Sequence, residues 1–398
     1  MHAIRSKHAF DGESFRSPGA TVLIDDSLII GVEPYDFPLP DQCPVTSYDG
    51  TLLPGLIEAH THLVTDSGVS ALDRVAGCSN HEIDEVVTRA LRDQLAAGVT
   101  TVRDLGDRRF CVVQRRDDQP ATGACEPTIV ASGPPLTSTA GHCHFMGGEV
   151  SGTAKIIRAI AERVERGVDI VKVMASGGVN TPGSDVMRTQ FTTAELRLVV
   201  DRTHAAGLPV TAHAHGTPAV EQAIAVGVDG IEHCSCLTRD GARLPQALAE
   251  RLVEAGIYVC PTVGRVPGVD PPPHVQARLA AIGSTFEDHL AHVVELQKAG
   301  VRFLAGTDAG IGPAKRHGLV PMAVVDLVAC GVPATDALAS ATGLAALAIG
   351  LRQRTGRLAV GLDADLLLVD GDPLSDVTAL QRLRTVVSRG REVPLPRG

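Results

Sequence analysis

Six times along this chain an alanine-rich amphipathic segment ends at a glycine and runs straight into a β-forming stretch. The junctions are Ala97-Gly98-Val99, Arg166-Gly167-Val168, Ala206-Gly207-Leu208, Val226-Gly227-Val228, Ala255-Gly256-Ile257 and Ala299-Gly300-Val301. Glycine just past a helix end takes the left-handed backbone conformation that stops the helix. A helix feeding directly into a strand, repeated, is the pattern of βα units around a parallel sheet. The spacing predicts helices over 84–97, 154–166, 193–206, 218–226, 244–255 and 286–299. It predicts strands ending near His62, Asp104, Ser132, Met174, His215, His233, Thr262 and Asp308. Leu56 to Asp308 spans about 250 residues, the usual size of a (β/α)8 barrel. The expected fold is therefore α/β, a (β/α)8 TIM barrel.

The two ends of the chain have a different rhythm. Residues 20–24 and 27–32 are β-rich and are separated by Asp25-Asp26, a hairpin pattern. Residues 355–370 hold a turn and an apolar strand, and Val386-Val387 suggests another. We expect these segments to pair in a small β-sandwich beside the barrel. The expected division is 1–55 and 353–398 for the sandwich and 56–352 for the barrel.

Composition narrows the function. A net charge of −10 disfavours a polyanionic partner, and 3% aromatics without tryptophan gives no stacking platform for nucleic acid. No apolar run approaches the length of a membrane span. The first eight residues lack the apolar core of a signal peptide. Nine scattered cysteines with no C-x-x-C pair suit reduced thiols, so a cytoplasmic location is expected. The sequence leaves a homo-oligomer open.

In a parallel barrel the functional groups gather at the C-terminal ends of the strands. Residues two apart on a strand share a face, so His60 and His62 in Leu56-Ile57-Glu58-Ala59-His60-Thr61-His62 project together. Lys172 interrupts the apolar run Val168–Met174, where an unpaired charge is costly. His213, His233 and Asp308 end three further strands. Four imidazoles, a carboxylate and a lysine thus converge on one rim. Each alone has an ordinary explanation, as a surface or core histidine or a helix cap, but those explanations would all have to coincide at strand ends. Cys234, directly after His233, offers a thiolate as a less favoured ligand.

The ordered H-x-H, Lys, His, His and Asp, together with the closing segment Gly361-Leu362-Asp363-Ala364-Asp365-Leu366, resembles the amidohydrolase superfamily. Val171-Lys172-Val173-Met174-Ala175-Ser176-Gly177-Gly178 and Gly306-Thr307-Asp308-Ala309-Gly310 are most similar to its imidazolonepropionase-like and Xaa-Pro dipeptidase-like branch. The aspartate usual before the H-x-H is Glu58 here. The resemblance implies two divalent metal ions, one on His60, His62 and Asp308 and the other on His213 and His233. A carboxylated Lys172 would bridge them. Zinc is the default for these ligands, and manganese, cobalt or iron also fit. Asp308 would act as general base and then general acid in attack of activated water on a small-molecule amide, such as a dipeptide or N-acyl amino acid.

On the substrate side, His142 in the glycine-rich segment 139–148 resembles the histidine that related enzymes place over the substrate carbonyl. His215 shares a face with His213 and is expected to meet substrate. Arg188, in the long loop 177–188, is a candidate partner of a substrate carboxylate, with a solvated surface arginine as the favoured alternative. Loops 134–152, 176–191, 262–285 and 309–320 carry specificity. Alternatives are a deaminase, a hydrolase of cyclic amides or lactones and, from another class, a catalytically silent binding protein.

Overall fold

The computed structural model describes residues 1–123 and 125–395, so residues 396–398 of the expected C-terminal segment lie outside it. The architecture is α/β with parallel sheets. Three strands, β1 (Leu56–Thr61), β2 (Val99–Asp104) and β3 (Thr128–Ala131), pair in parallel in that order. Five more form a second parallel sheet in the order 8-7-6-5-4. They are β4 (Val171–Met174), β5 (Val210–Gly216), β6 (Gly230–Thr238), β7 (Tyr258–Cys260) and β8 (Arg302–Phe303).

Backbone hydrogen bonds tie the two sheets together at both ends. Beyond β3, the Leu136 N–H donates to Lys172 O and the Met174 N–H donates to Leu136 O, both at 2.8 Å. Beyond β8, the Ala59 N–H donates to Ala305 O at 3.0 Å and the Asp308 N–H to His60 O at 2.8 Å. The eighth strand was expected to run to Asp308 but is regular only at Arg302–Phe303. The backbone crowds past it: a side chain at Gly306 would start 2.5 Å from Cys260 Sγ and 2.8 Å from His60 N.

The helices sit where the glycine junctions placed them, within a few residues. Asn80–Ala96, Thr193–Ala205 and Phe286–Lys298 each open with a capping box, formed by Ser79 with Glu82, Thr192 with Glu195 and Thr285 with Asp288. All six junction glycines have φ between 66° and 85°, the region where any other residue would be strained. The helix Asn80–Ala96 buries Ile83, Val87, Ala90, Leu91 and Leu95, one face at helical spacing, against the sheets. A helix not anticipated from sequence, Pro273–Ala281, has no buried residue.

The chain ends form one eight-stranded sheet. Its order is Arg391–Glu392, Leu383–Ser388, Leu366–Val369, Val45–Pro54, His2–Phe10, Ala20–Asp25 and Leu28–Glu33, with Phe15–Arg16 pairing off His2–Phe10. The expected hairpin and tail strand are present. The long strand His2–Phe10 escaped the sequence reading because its apolar residues do not alternate strictly. A separate core of Ile4, Val22, Ile24, Ile29, Leu52, Leu366, Leu368 and Val387 belongs to this sheet.

Candidate metal centre

The strand ends bring His60, His62, Lys172, His213, His215, His233 and Asp308, with His142 from the loop after β3, into the lining of a single cavity of about 230 Å³. The Asp308 carboxylate lies 3.2 Å from His62 Nε2 and 3.4 Å from His60 Nε2. The rings of His213, His215 and His233 pack with centroids 4.5 to 4.7 Å apart. Donor atoms of His213, His215 and His233 all lie within 4.8 Å of one another, as do those of His60, His233 and Asp308.

Each of these histidines is held from behind by one ring nitrogen; the other nitrogen faces Asp308 in His60 and His62. His60 Nδ1 meets Glu232 Oε2 at 2.8 Å, His62 Nδ1 meets Gly106 O at 3.2 Å and His233 Nδ1 meets Thr262 Oγ1 at 2.8 Å. His213 Nε2 meets Gly177 O at 3.1 Å, and His215 Nδ1 meets Ser235 Oγ at 2.9 Å. Outer partners of this kind fix ring orientation and leave one lone pair for a metal. The backbone pays for the aim: His233, Thr262 and Asp308 all adopt positive φ, at 66°, 53° and 60°.

Electrostatics keep most of the rings neutral. Burial, reinforced by the positive charge of Lys172, pushes His60 down to about 4. Burial and neighbouring imidazoles push His215 to about 4 and His213 and His233 well below the usual histidine range. His62 is the exception: burial opposes its charge, but the bond to Asp308 lifts it. Asp308 is also opposed by burial, yet His60 and His62 outweigh that and hold it well below the ordinary carboxylate range.

Lys172 is the outlier. It is 1% exposed, and its Nζ has no hydrogen-bond partner among the described residues. Burial pushes its ammonium down. A buried amine facing neutral imidazoles and an ionised aspartate, with nothing to bond to, is an incomplete site. The donor set of imidazole nitrogens and one carboxylate oxygen fits divalent transition metals, and a carboxylated amine would supply oxygens where Nζ now has no partner.

His142 is packed over Gly178, where a side chain would begin 2.4 Å from His142 Nε2. Its Nδ1 meets Thr181 Oγ1 at 2.8 Å, and that hydroxyl oxygen accepts the Cys143 N–H at 3.0 Å. The Thr181 hydroxyl can serve His142 Nδ1 as donor or acceptor, and it fixes the ring with Nε2 directed at Cys143 Sγ, 3.5 Å away. Burial pushes His142 to about 3, so the ring is neutral.

Two candidate readings do not hold. Arg188 does not join the site: it is exposed, as the favoured alternative had it, and is absent from the cavity lining. Cationic groups reach the cavity instead from Arg265 and Lys315. Cys234 is fully buried but does not line the cavity, because the left-handed turn from His233 through Cys234 carries its thiol away. The sequence reading also missed Glu232, whose carboxylate joins His60, Arg103 at 3.0 Å and the Thr211 hydroxyl at 2.6 Å. A signal existed in Arg103 and Glu232, two charges inside otherwise buried strands. Glu58, the departure noted above, accepts the Thr307 N–H at 2.9 Å and the His60 N–H at 3.0 Å, tying β1 to the segment carrying Asp308.

Comparison with known proteins agrees with this geometry. The sequence model of the Amidohydrolase family matches residues 51–393. The ochratoxinase of Aspergillus niger is 26% identical over 420 residues, covering 94% of this chain and 82% of that protein. An imidazolonepropionase from a Polaromonas species is 26% identical, covering 85% of this chain and 80% of that protein. The crystal structure of a Xaa-Pro dipeptidase with bound methionine in its active site superposes with a TM-score of 0.86. It is 26% identical and covers 98% of this chain and 99% of that one. With the family match spanning most of the chain and the histidine-lined cavity at the strand ends, the protein belongs to the amidohydrolase family, hydrolases of carbon–nitrogen bonds.

Proposed function

We propose that the protein hydrolyses a peptide-like or N-acyl amino acid amide of a small molecule, using two divalent metal ions, zinc by default, bridged by a carboxylated Lys172. The observation that carries this reading is Lys172 Nζ, buried without a hydrogen-bond partner among the described residues, beside neutral histidines. His60, His62 and Asp308 would hold one ion and His213 and His233 the other, with His215 close enough to the second group to serve it. The hydrogen bonds that join both ends of the two parallel sheets support a single (β/α)8 barrel over 56–352. The terminal sheet, with its own core, supports a small sandwich built from 1–55 and 353–398.

When bound, such ions supply a water acidic near neutral pH and a Lewis acid for the carbonyl oxygen. The chain's own groups do the rest. Asp308, ionised between His60 and His62, takes the proton of the attacking water and hands it to the leaving nitrogen. His142, neutral, takes the tautomer with its proton on Nε2 in this reading and donates a hydrogen bond to the carbonyl oxygen as charge develops there. The wall of Leu72, Met174, Val275, Leu279 and Ile311 excludes water and receives an apolar substituent.

No helix among the described residues is long and apolar enough to cross a membrane. The cysteines, all free, support a reducing cytoplasmic setting. The test of function is a screen of dipeptides, N-acyl amino acids and cyclic amides with zinc or manganese supplied. Turnover of acyclic amides is expected, and turnover of cyclic amides alone would move the assignment to the cyclic-amide hydrolases.

A further inference from the structure

Two cations reach the cavity wall, and they are in different electrostatic states. Arg265 stacks 4.0 Å over the Phe286 ring and pairs with Glu287 at 3.0 Å, so its charge is answered. Lys315 is not paired in this way. Its Nζ donates to two carbonyls, Thr262 O at 2.6 Å and Gly264 O at 3.0 Å, and lies 5.8 Å from the Phe286 ring centroid. Carbonyls solvate a cation but do not neutralise it, and an ammonium has three N–H donors, of which two are used. The acids that act on it electrostatically are committed elsewhere. Asp308 sits between His60 and His62, Asp326 accepts the Gly264 N–H at 2.8 Å and Glu58 holds Thr307.

The lysine is also pre-positioned. The turn that carries it is closed by the Lys315 N–H to Gly312 O at 2.9 Å and the Gly310 N–H to Lys315 O at 2.7 Å. The same strand-to-loop segment begins at Asp308, so the free charge is fixed relative to the carboxylate that moves the proton. The helix Pro273–Ala281 and its C-cap add Val275, Leu279 and Ile282 to the lining, all apolar. The cavity thus has a reactive end, an apolar lining and one positive group that no carboxylate contacts directly.

We propose that Lys315 anchors a carboxylate of the substrate, so that the site selects acyl amino acids and peptides bearing a free carboxylate over their carboxamides. This rests on the amide-hydrolysis reading above and names the residue that decides its substrate class. The anchor takes the role for which Arg188 was a candidate.

The test uses the metal-loaded protein and matched pairs that differ only at the carboxylate. Calorimetry compares L-leucine with L-leucinamide, and kinetics compare N-acetyl-L-leucine with N-acetyl-L-leucinamide. A charge-assisted hydrogen bond predicts a wild-type preference for the carboxylate of at least about tenfold. Lys315→Met should bring the ratio close to one, and Lys315→Arg should keep part of it. No preference in the wild type, or an unchanged preference in a folded, metal-loaded Lys315→Met, overturns the proposal. If Lys315→Met fails to fold, the wild-type ratio and Lys315→Arg still decide. Absence of turnover on every amide would overturn the hydrolytic reading instead, while the binding ratio judges Lys315 by itself.

Discussion

Glu232 holds His60 in place: its Oε2 lies 2.8 Å from His60 Nδ1, while its Oε1 meets Arg103 at 3.0 Å and the Thr211 hydroxyl at 2.6 Å. Burial opposes ionisation of Glu232, but Arg103 and His60 outweigh it and keep the group a carboxylate. A fixed carboxylate behind a histidine sets which nitrogen faces the metal. Glu232→Gln should therefore weaken metal binding about 10- to 100-fold. It should also cost about 3–5 kcal/mol of stability, because Arg103 is left buried without its counter-charge. Metal titration and urea unfolding read the two effects, and unaltered metal affinity would refute the positioning role.

Lys172 gives a prediction about carbon dioxide. The neutral amine is the form that reacts with it, and burial favours that form. Metal-depleted protein should regain activity with zinc only when bicarbonate is present. Labelled bicarbonate should give a carbamate carbon resonance that Lys172→Met lacks. Equal recovery in carbon dioxide-free buffer would show that Lys172 acts without carboxylation.

Far from the cavity, Asp365 predicts a pH-dependent stability. Burial lifts its carboxyl to about 6, although it accepts the Arg389 N–H at 2.8 Å and the Thr355 hydroxyl at 3.1 Å. A raised folded-state pKa favours the protonated form. The stability it contributes is complete below the unfolded value near 4 and is lost as pH rises to about 6. Asp365→Asn removes this dependence. Its unfolding free energy relative to wild type should climb between pH 4 and pH 6 and then level off, a change of up to about 3 kcal/mol. A constant difference across that range would refute the shift.

Much of this was legible in the sequence because it rests on local chemistry. The glycine junctions marked where helices stop, and the proposed ligand residues sit at strand ends, where spacing places them on one rim. What was not legible depends on broken periodicity or on long-range meeting. Left-handed backbone at His233 turns that ring out of the strand alternation, so spacing alone does not reveal that Glu232 backs His60. Thr181, Lys315 and the helix Pro273–Ala281 lie in loops whose course is set by packing between distant segments. Arg188 stayed a bare candidate for the same reason: a loop residue's side has no period to reveal it.

The most direct test of the account is metal content measured beside turnover in Asp308→Asn. This substitution removes the proton carrier and keeps an oxygen at nearly the same place, while His60, His62, His213, His233 and Lys172 remain. The account predicts about two transition-metal ions per chain in the metal-replete wild type with amide turnover. In Asp308→Asn it predicts much of that metal retained and turnover reduced at least about 100-fold. Fewer than about one ion per wild-type chain, or an Asp308→Asn protein that turns over amides at the wild-type rate, would contradict it.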